Sequence, residues 1–350
     1  MSDTIVPSVA GTALDPGTVA AAPRRTPWWR PYLPVVVFAA VLTVLPFIGL
    51  SNRHIHLAVV CLIWTIAAYG LFVPYAFAGQ MTVAIVTAWG VGAYATGIAI
   101  KYWDWTFVPC VLLSIGLGFL AGMIMALPIL RTKGHYFVII TFVIAEAVTV
   151  AANNWDVTSG AGGGGMSVSQ SISLFGIDFG ERRNMYYLCL ALAAIVAIGV
   201  TWLRGSRFGK HLASVRENEE LARSIGIRTT WLKIVVLGVG GGITGLAGTL
   251  YAYYLSHIAV NEFGVNRAIT LILIVVVGGR MSVLGPFVGA AIAYYLPELI
   301  DLDPNRVLIA YGLALGVIVI LLPTGVIGGI EGAFDRIRRR RRTPTTEVAS

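Results

Sequence analysis

The stretch LKIVVLGVGGGITGLAGTLYAYY, residues 232–254, decides what kind of fold this chain can adopt. Its one charged residue, Lys233, stands at its start. A helix of this length spans about 35 Å, which exceeds the roughly 30 Å hydrocarbon core of a bilayer. Lipid offers the backbone no hydrogen-bond partner, so the stretch should cross a membrane as a helix. Its many glycines let another backbone approach closely, so we expect this helix to face protein and not lipid.

The composition extends this interpretation to the whole chain. Of its 350 residues, 57% are hydrophobic and 12% are charged, whereas soluble domains carry about twice that charged fraction. The apolar runs are too long and too continuous for barrel strands. We therefore predict an all-α fold, a polytopic bundle of membrane helices. The formal net charge of +8 is interpreted as orienting the protein in the membrane and not as binding nucleic acid.

About ten apolar segments are candidate spans, and one or two of them are short or broken. They are Tyr32–Leu50, His56–Phe77, Thr82–Ile100, Phe107–Leu130, Tyr136–Ala152, Tyr186–Leu203, Leu232–Tyr254, Ala268–Val277, Val283–Ile300 and Val307–Pro323. The eighth is too short to cross the core by itself. It is either extended by Gly278 and Gly279 or is a half-helix. The third is rich in Gly and Ala, so we expect it inside the bundle.

The positions of Lys and Arg predict that both termini are cytoplasmic. With ten spans and a cytoplasmic N-terminus, 19 of the 25 basic residues lie inside and 6 outside, as the positive-inside rule requires. We expect a disordered cytoplasmic tail over residues 1–31, a membrane domain over 32–330 and a basic cytoplasmic tail over 331–350. Within the membrane domain, residues 204–231 form a cytoplasmic loop and residues 153–185 an extracytoplasmic loop.

The sequence predicts neither a catalytic site nor a metal site. Its cysteines lie in apolar runs and lack the spacing of metal ligands or of a disulfide framework; they are Cys61, Cys110 and Cys189. The run SGAGGGGMS, residues 159–167, lacks the Gly-Lys-Ser/Thr end of a phosphate-binding loop. We interpret it as a flexible loop whose backbone could line a solute entrance, at Gly160, Gly162 and Gly163.

Glu146 is the acidic residue that the sequence places inside a span. A lone carboxylate at that depth costs about 3 kcal/mol, so it needs a partner or a water-filled route. Two interpretations stay open: a polar element of a translocation path, or a helix contact in which Glu146 is protonated or paired.

The sequence also contains a weak internal repeat, because Gly79–Val83 (GQMTV) resembles Gly279–Val283 (GRMSV). Transporter folds often contain such repeats.

The charged stretch GKHLASVRENEELARSIGIR, residues 209–228, should face the cytoplasm. Ser214 and Glu217 form a capping-box pattern that predicts a helix start, and Gly226 predicts a helix stop. One or two short amphipathic helices should result, with an apolar face made of Leu212, Val215, Ala222 and Ile225. Short helices are marginal in water. We therefore expect this element to dock on a partner, in preference to a solvated loop whose charges only orient the chain.

These residues support a family resemblance. The segment GSRFGKHLASVRENEELARSIGI, residues 205–227, resembles the cytoplasmic loop of permease subunits from branched-chain amino acid ABC transporters, the LivH/LivM family, and most resembles the LivM-type member. Further segments fit that family's pattern at residues 130–146, 158–167, 277–291 and 322–325. The resemblance covers about residues 35–329. It departs from the family pattern in the glycine-rich loop and at Gly79 and Gln80, which makes these two residues additional candidates for the translocation path.

The resemblance implies a permease subunit of an ATP-driven importer in the bacterial inner membrane. Its cargo would be branched-chain or related small amino acids. The path would form with a second homologous permease subunit. Two ABC ATPase subunits would dock below and carry ATP and Mg, so this chain would bind no cofactor itself. An extracytoplasmic substrate-binding protein would deliver the solute. The residues implied to transmit ATPase closure, mechanically and without catalysis, are Arg216, Glu217, Asn218, Glu219 and Gly226.

Other functions fit part of the sequence. The same architecture could import urea, short amides or other small carboxylates. An ion-driven secondary transporter would need coupling residues within the membrane, for which Glu146 is the candidate, and it would work without ATPase subunits. A structural scaffold would leave the charged stretch and Glu146 without a role.

Overall fold

Helices form most of the regular structure in this computed structural model. They are α1 (Leu33–Val44), α2 (Asn52–Ala78), α3 (Ile85–Trp103), α4 (Phe107–Met125), α5 (His135–Asn153), α6 (Arg182–Gly205), α7 (Arg207–Glu217), α8 (Glu219–Ser224), α9 (Thr229–Leu255), α10 (Val265–Gly278) and α11 (Gly285–Ile300). Short 3-10 turns lie at Leu127–Leu130 and Val260–Phe263.

The structure describes residues 32–44, 46, 51–130, 132, 135–155, 158, 165–168, 172–174, 177–279, 282–300 and 325–329. Several sequence predictions fall outside these residues. They are the two terminal tails (1–31 and 331–350), the tenth span (Val307–Pro323) and the loop glycines Gly160, Gly162 and Gly163.

Among the described residues, five helices are long and apolar enough to cross a membrane: α2, α4, α5 from Tyr136 onward, α6 and α9. Helices α1 and α10 are apolar but shorter. This agrees with the predicted helical membrane bundle. The count of ten spans and the cytoplasmic location of both termini stay predictions.

The predictions for the third and eighth candidate spans, which correspond to α3 and α10, have different outcomes. Helix α3 is almost entirely buried, as its Gly and Ala content predicts. Helix α10 has 14 residues, or about 21 Å, and it gains length at its N-terminal end. At its other end the predicted extension is present as far as Gly278, the last residue of the helix. Gly279 follows with a φ of 98° and lies outside it. Helix α10 is therefore longer than the predicted ten residues and shorter than the hydrocarbon core.

The predicted all-α class needs one amendment, because two small antiparallel sheets are present. Strand β1 (Met166–Ser167) pairs with β4 (His257–Ile258), and β2 (Ser173–Leu174) pairs with β3 (Ile177–Asp178). The first pair joins the predicted extracytoplasmic loop to the segment that follows α9. Gly165 precedes β1 with a φ of 85°, and a Cβ there would lie 2.3 Å from the Ile258 carbonyl oxygen. Glycine is therefore required at this end of the glycine-rich loop.

Helix α9 is the centre of the bundle, and glycines bring its backbone against three other helices. The pairs are Gly240 with Gly70 of α2, Gly248 with Trp89 of α3, and Gly241 with Gly118 of α4. A Cβ atom on any of these α9 glycines would lie 2.3–2.4 Å from a carbonyl oxygen of the neighbouring helix. No side chain fits at that separation. The expectation that residues 232–254 face protein is confirmed.

Hydroxyl groups connect the same helices where the backbones are close. The Thr96 Oγ1 atom of α3 lies 2.9 Å from the Ser114 Oγ atom of α4 and 3.0 Å from the Thr249 Oγ1 atom of α9. The Ser114 hydroxyl also donates to the Gly92 carbonyl at 2.9 Å. Small side chains and interhelical hydrogen bonds are the interactions that hold helices together in lipid.

We predict that Gly118→Ala destabilises the bundle and that Gly116→Ala does not. A Cβ at position 118 would lie 2.5 Å from the Gly241 carbonyl oxygen, whereas one at position 116 meets nothing within 4 Å. Overpacking of this kind costs about 1–3 kcal/mol. Thermal unfolding in detergent should show a lower Tm for Gly118→Ala only. Equal Tm values for the two variants would show that the close contact is not needed.

Candidate functional site

The charged stretch that the sequence predicts to face the cytoplasm folds as two short helices, each with its own N-cap. Ser206 precedes α7 and accepts a hydrogen bond from the Gly209 N–H at 3.1 Å. Asn218 lies between α7 and α8, and its side chain accepts a hydrogen bond from the Leu221 N–H at 3.0 Å. Side-chain oxygens at such positions satisfy the unpaired N–H groups of the first turn. Asn218 is therefore the residue that ends one helix and starts the next.

Part of the predicted pattern in this stretch is wrong. Ser214 lies inside α7 and its hydroxyl donates to the Lys210 carbonyl at 3.2 Å, so the capping box that was predicted to start a helix there does not form. The stop at Gly226 is present, with a φ of 86° and its N–H donating to the Arg223 carbonyl. Three residues of the predicted apolar face are buried, namely Leu212, Val215 and Ala222. The fourth, Ile225, is 69% exposed.

Arg216 fastens α7 to the end of α2. Its guanidinium donates a hydrogen bond of 2.6 Å to the Ala76 carbonyl, which is favourable because a cation offsets the negative end of a helix. Gly79 ends α2 with a φ of 67°, and a Cβ there would lie 3.2 Å from Arg216 Cγ. The N–H of Gln80 donates to the Pro74 carbonyl at 3.1 Å. Gly79 and Gln80, predicted for the translocation path, thus lie at this junction.

Glu219 fastens α8 to the start of α9. Its carboxylate lies 2.7 Å from Lys233 Nζ and 3.2 Å from the Arg223 guanidinium, and it accepts a hydrogen bond from the Thr229 hydroxyl at 3.3 Å. The Lys233 side chain is only 8% exposed. A buried ammonium needs such a partner, because an unpaired charge there is costly. Sequence reasoning missed Lys233, although a lone charge at the head of an apolar stretch was a signal for it.

The outer surface of this element mixes charge with apolar area. Glu217, Asn218 and Glu220 are exposed. Beside them lie three exposed apolar side chains, Leu221 at 62%, Ile225 at 69% and Trp231 at 58%. We call Leu221, Ile225 and Trp231 the cytoplasmic patch. Exposed apolar clusters with polar rims are typical of interaction surfaces.

Glu146 lies on a helix that is only loosely covered by the rest of the bundle. It is exposed, and on α5 it lies between Val143 and Val150, which are 59% and 52% exposed. No hydrogen bond or ion pair joins it to another residue within the described part of the chain. The structure therefore turns this carboxylate away from the bundle and gives no support to an internal helix–helix pairing.

A second charged pair lies deep in the bundle. Glu262 lies within the 3-10 turn after α9 and Arg267 lies in the first turn of α10, and the two form an ion pair. The Tyr251 hydroxyl donates to the Glu262 carboxylate at 3.0 Å. The Arg267 guanidinium lies 5.7 Å from the ring centre of Trp64, which stands at the middle of the 27-residue α2. Sequence reasoning counted Arg267 among the outside charges and missed this position, although the short eighth span next to it was a hint.

A cavity of about 550 Å³ lies between α3, α5 and the Val260–Phe263 turn. Its wall is mostly apolar and includes Tyr94, Val148, Trp155 and Phe263. The Phe263 ring also packs against Tyr251, with centroids 5.7 Å apart. Phe263 therefore stands between the cavity and the ion pair.

Metal ligation has no support in the described ranges. No group of three or more His, Cys, Asp or Glu side chains is placed there to hold a metal ion. The three cysteines are free and buried. The described residues instead provide two charged helices outside the bundle, α7 and α8, and an ion pair within it, Glu262 with Arg267.

Long apolar spans with charged side chains packed among them are typical of helical membrane transport proteins. The family model described as "Branched-chain amino acid transport system / permease component" matches residues 54–323. The chain belongs to this family of permeases. It is accordingly a transport subunit and a multi-pass protein of the bacterial inner membrane.

Curated relatives agree with this assignment. The chain is 24% identical over 307 residues to the high-affinity branched-chain amino acid transport system permease protein LivM of Salmonella typhimurium and to that of Escherichia coli. Each match covers 81% of this chain and 71% of the relative. A probable LivM of Methanocaldococcus jannaschii is 27% identical over 207 residues, which cover 58% of this chain and 59% of that protein. No solved structure matches the chain.

We predict that Lys233→Met loosens the cytoplasmic helices. The change leaves the Glu219 carboxylate without its closest partner, so α8 should separate from α9 more often. Hydrogen exchange of the amides at 219–227 should become at least fivefold faster. Glu220→Gln, a change at the neighbouring exposed glutamate, is the matched control and should have no effect. Unchanged exchange in Lys233→Met would show that the ion pair does not hold α8.

Proposed function

We propose that this chain is the permease subunit of an ATP-driven importer and that it carries branched-chain or related small amino acids. The observation that carries the proposal is the cytoplasmic element, because α7 and α8 are tied to two central helices at once. Arg216 reaches α2 and Glu219 reaches α9. The family description and the names of the relatives support the cargo.

In this proposal two ATPase subunits dock on the outer surface of residues 204–231. Glu217 and Asn218 would make polar contacts, and the cytoplasmic patch would supply apolar area. ATP and Mg would be bound by the partner subunits. In the ATPase cycle this chain would take part mechanically, by transmitting force to its own helices. When the ATPases close, α7 and α8 would move together and pull on α2 and α9 through Arg216 and Glu219. Alternating access then needs only that these helices tilt.

The lateral surface of α5 is the proposed seam with a second, homologous permease subunit. Glu146 lies on that surface, and a carboxylate cannot face lipid without a cost of about 3 kcal/mol. A water-filled path between two permeases would hydrate it. Solute would enter from a substrate-binding protein on the extracytoplasmic side. The remaining surface, with apolar residues such as Leu112 and Ile195 exposed, would contact membrane lipid.

Glu146→Gln tests the path. Replacing the charge with an isosteric amide should lower solute uptake by at least threefold if the carboxylate faces the water-filled route, while the amount of assembled complex stays unchanged. Asp104→Asn is the control, since Asp104 is an exposed carboxylate in a connection between helices. Uptake that equals the control would assign Glu146 to packing.

Glu217→Lys tests the coupling. Glu217 is exposed and its side chain forms no hydrogen bond or ion pair within the described part of the chain, so its reversal should spare the fold and weaken ATPase docking. We expect ATP-dependent uptake to fall at least tenfold with normal levels of the chain in the membrane. Lys101→Glu, an exposed charge reversal in the last turn of α3, should leave uptake unchanged. Normal uptake by the Glu217→Lys variant would exclude this residue from the coupling.

The experiment that tests the function as a whole is copurification followed by reconstitution. The chain, isolated from native membrane, should bring ATPase subunits and a second permease with it. Proteoliposomes made from that complex and its binding protein should accumulate radiolabelled leucine with ATP and not with ADP. Accumulation without ATPase subunits would favour an ion-driven transporter. ATP-dependent uptake of urea or a short amide in place of leucine would keep the architecture and change the cargo.

A further inference from the structure

The Glu262–Arg267 pair lies level with the middle of the long helix α2, away from both of its ends. The Arg267 guanidinium is over Trp64, at the middle of α2. The segment before it descends along α3, because Ile258 is close to Gly97 while Phe263 packs against Gly90. The chain therefore re-enters the bundle after α9, and α10 begins part of the way through it. Solute sites of transporters with broken helices are found at this depth.

The pair is open on one side although it is deep. The side chains of Arg267 and Glu262 are 38% and 34% exposed. Exposed charges at mid-depth are not stable against lipid tails, so this side must face a water-filled space. A pair that only held two helices together would be stabilised by full enclosure, with every polar atom satisfied inside the protein. Partial exposure is what a pair needs if a third group is to reach both charges.

Aromatic rings hold the two charges in place. The hydrogen bond from Tyr251 fixes the Glu262 carboxylate, and the Trp64 ring lies against the Arg267 guanidinium. Trp64 packs edge-to-face on Trp89, with centroids 4.6 Å apart. The Trp89 indole N–H is buried and has no hydrogen-bond partner among the described residues. Pre-positioned charges beside apolar rings are suited to bind a small ligand that carries both charge signs and an apolar group.

We infer that Glu262 and Arg267 form a recognition site for the zwitterionic end of an α-amino acid. The planar guanidinium of Arg267 matches a carboxylate, and the Glu262 carboxylate matches an ammonium group. The cavity behind Phe263 has room for a branched apolar side chain. With no solute present the two residues pair with each other, so the site is neutral when empty and when occupied. This inference rests on the proposed function and narrows its cargo to α-amino acids, since urea, amides and simple carboxylates lack one of the two charges.

The first test uses the intact permease–ATPase complex in nanodiscs and follows tryptophan fluorescence. Leucine should change the emission, because binding draws Arg267 away from Trp64. Two analogues that each lack one charged group, 4-methylpentanoate and 3-methylbutylamine, should not. The leucine response should disappear in Trp64→Phe. No response to leucine in the wild type, or equal responses to all three compounds, would overturn the inference.

The second test compares variants in proteoliposomes that contain the complete transporter and its binding protein. Glu262→Gln and Arg267→Gln should each lower leucine uptake at least tenfold, and the control Asp104→Asn should not. The exchanged variant, Glu262→Arg with Arg267→Glu, should stay inactive, because the two charges would meet the solute in the wrong order. Uptake restored by the exchange, or unchanged in both single variants, would make the pair structural only. A different result would contradict the proposed function itself, namely a wild-type complex that shows no ATP-dependent uptake.

Discussion

Direct contact between glycine backbones is the constraint on which this structure depends. Helix α9 approaches α2, α3 and α4 so closely that carbonyl oxygens occupy the space of side chains. The hydrophobic effect gives little help once helices are in lipid, so close packing and interhelical hydrogen bonds must supply the association energy. The glycines also place α9 in direct contact with α2, α3 and α4 at once. A displacement of α9 therefore cannot leave its neighbours unchanged.

The two candidate sites lie at different points of this one helix. Lys233, in the second turn of α9, pairs with the Glu219 carboxylate of α8. Tyr251, near its other end, donates to the Glu262 carboxylate at mid-depth. Between them lie the glycines that hold α9 against the bundle. The proposed coupling and the proposed recognition site are therefore joined by a continuous helix and by no flexible linker. The two similar segments, Gly79–Val83 and Gly279–Val283, also occupy similar positions in the fold. Gly79 and Gly279 end α2 and α10 with positive φ angles. The Tyr69 hydroxyl of α2 donates a hydrogen bond to the Val283 carbonyl in the second segment.

Local features of the sequence predicted much of the fold. Long apolar runs predicted the spans, and the Gly and Ala of α3 predicted its burial, because length, hydropathy and side-chain size act within a segment. The cap at Ser206 escaped prediction since Ser214 has an equally good local pattern; only the continuation of the chain from α6 into α7 decides between them. Ile225 was expected on the buried face with Ala222 and is exposed, because α8 ends at Ser224 and Ile225 lies at its C-cap.

The deep ion pair could not be predicted from local pattern. Hydropathy assigns Glu262 and Arg267 to a connection between spans, and their depth follows from a tertiary contact, the packing of Phe263 against Gly90. The lateral exposure of Glu146 likewise depends on which neighbours α5 has. The role of Lys233 follows from its distance to Glu219, which is fourteen residues away in the chain. Each of these positions depends on the path of the backbone in three dimensions.

The glycine contacts have a consequence for the electrical integrity of the cell. Carbonyl oxygens that meet the neighbouring Cα atoms leave no gap of the volume that a water molecule requires. A continuous chain of water molecules cannot form between α9 and α2, α3 or α4, so protons have no hydrogen-bonded route there. The contacts of α9 with α2, α3 and α4 can therefore stay impermeable to protons through a transport cycle. Leakage of the membrane potential is confined to the outer surfaces, where the partner subunits must provide the seal.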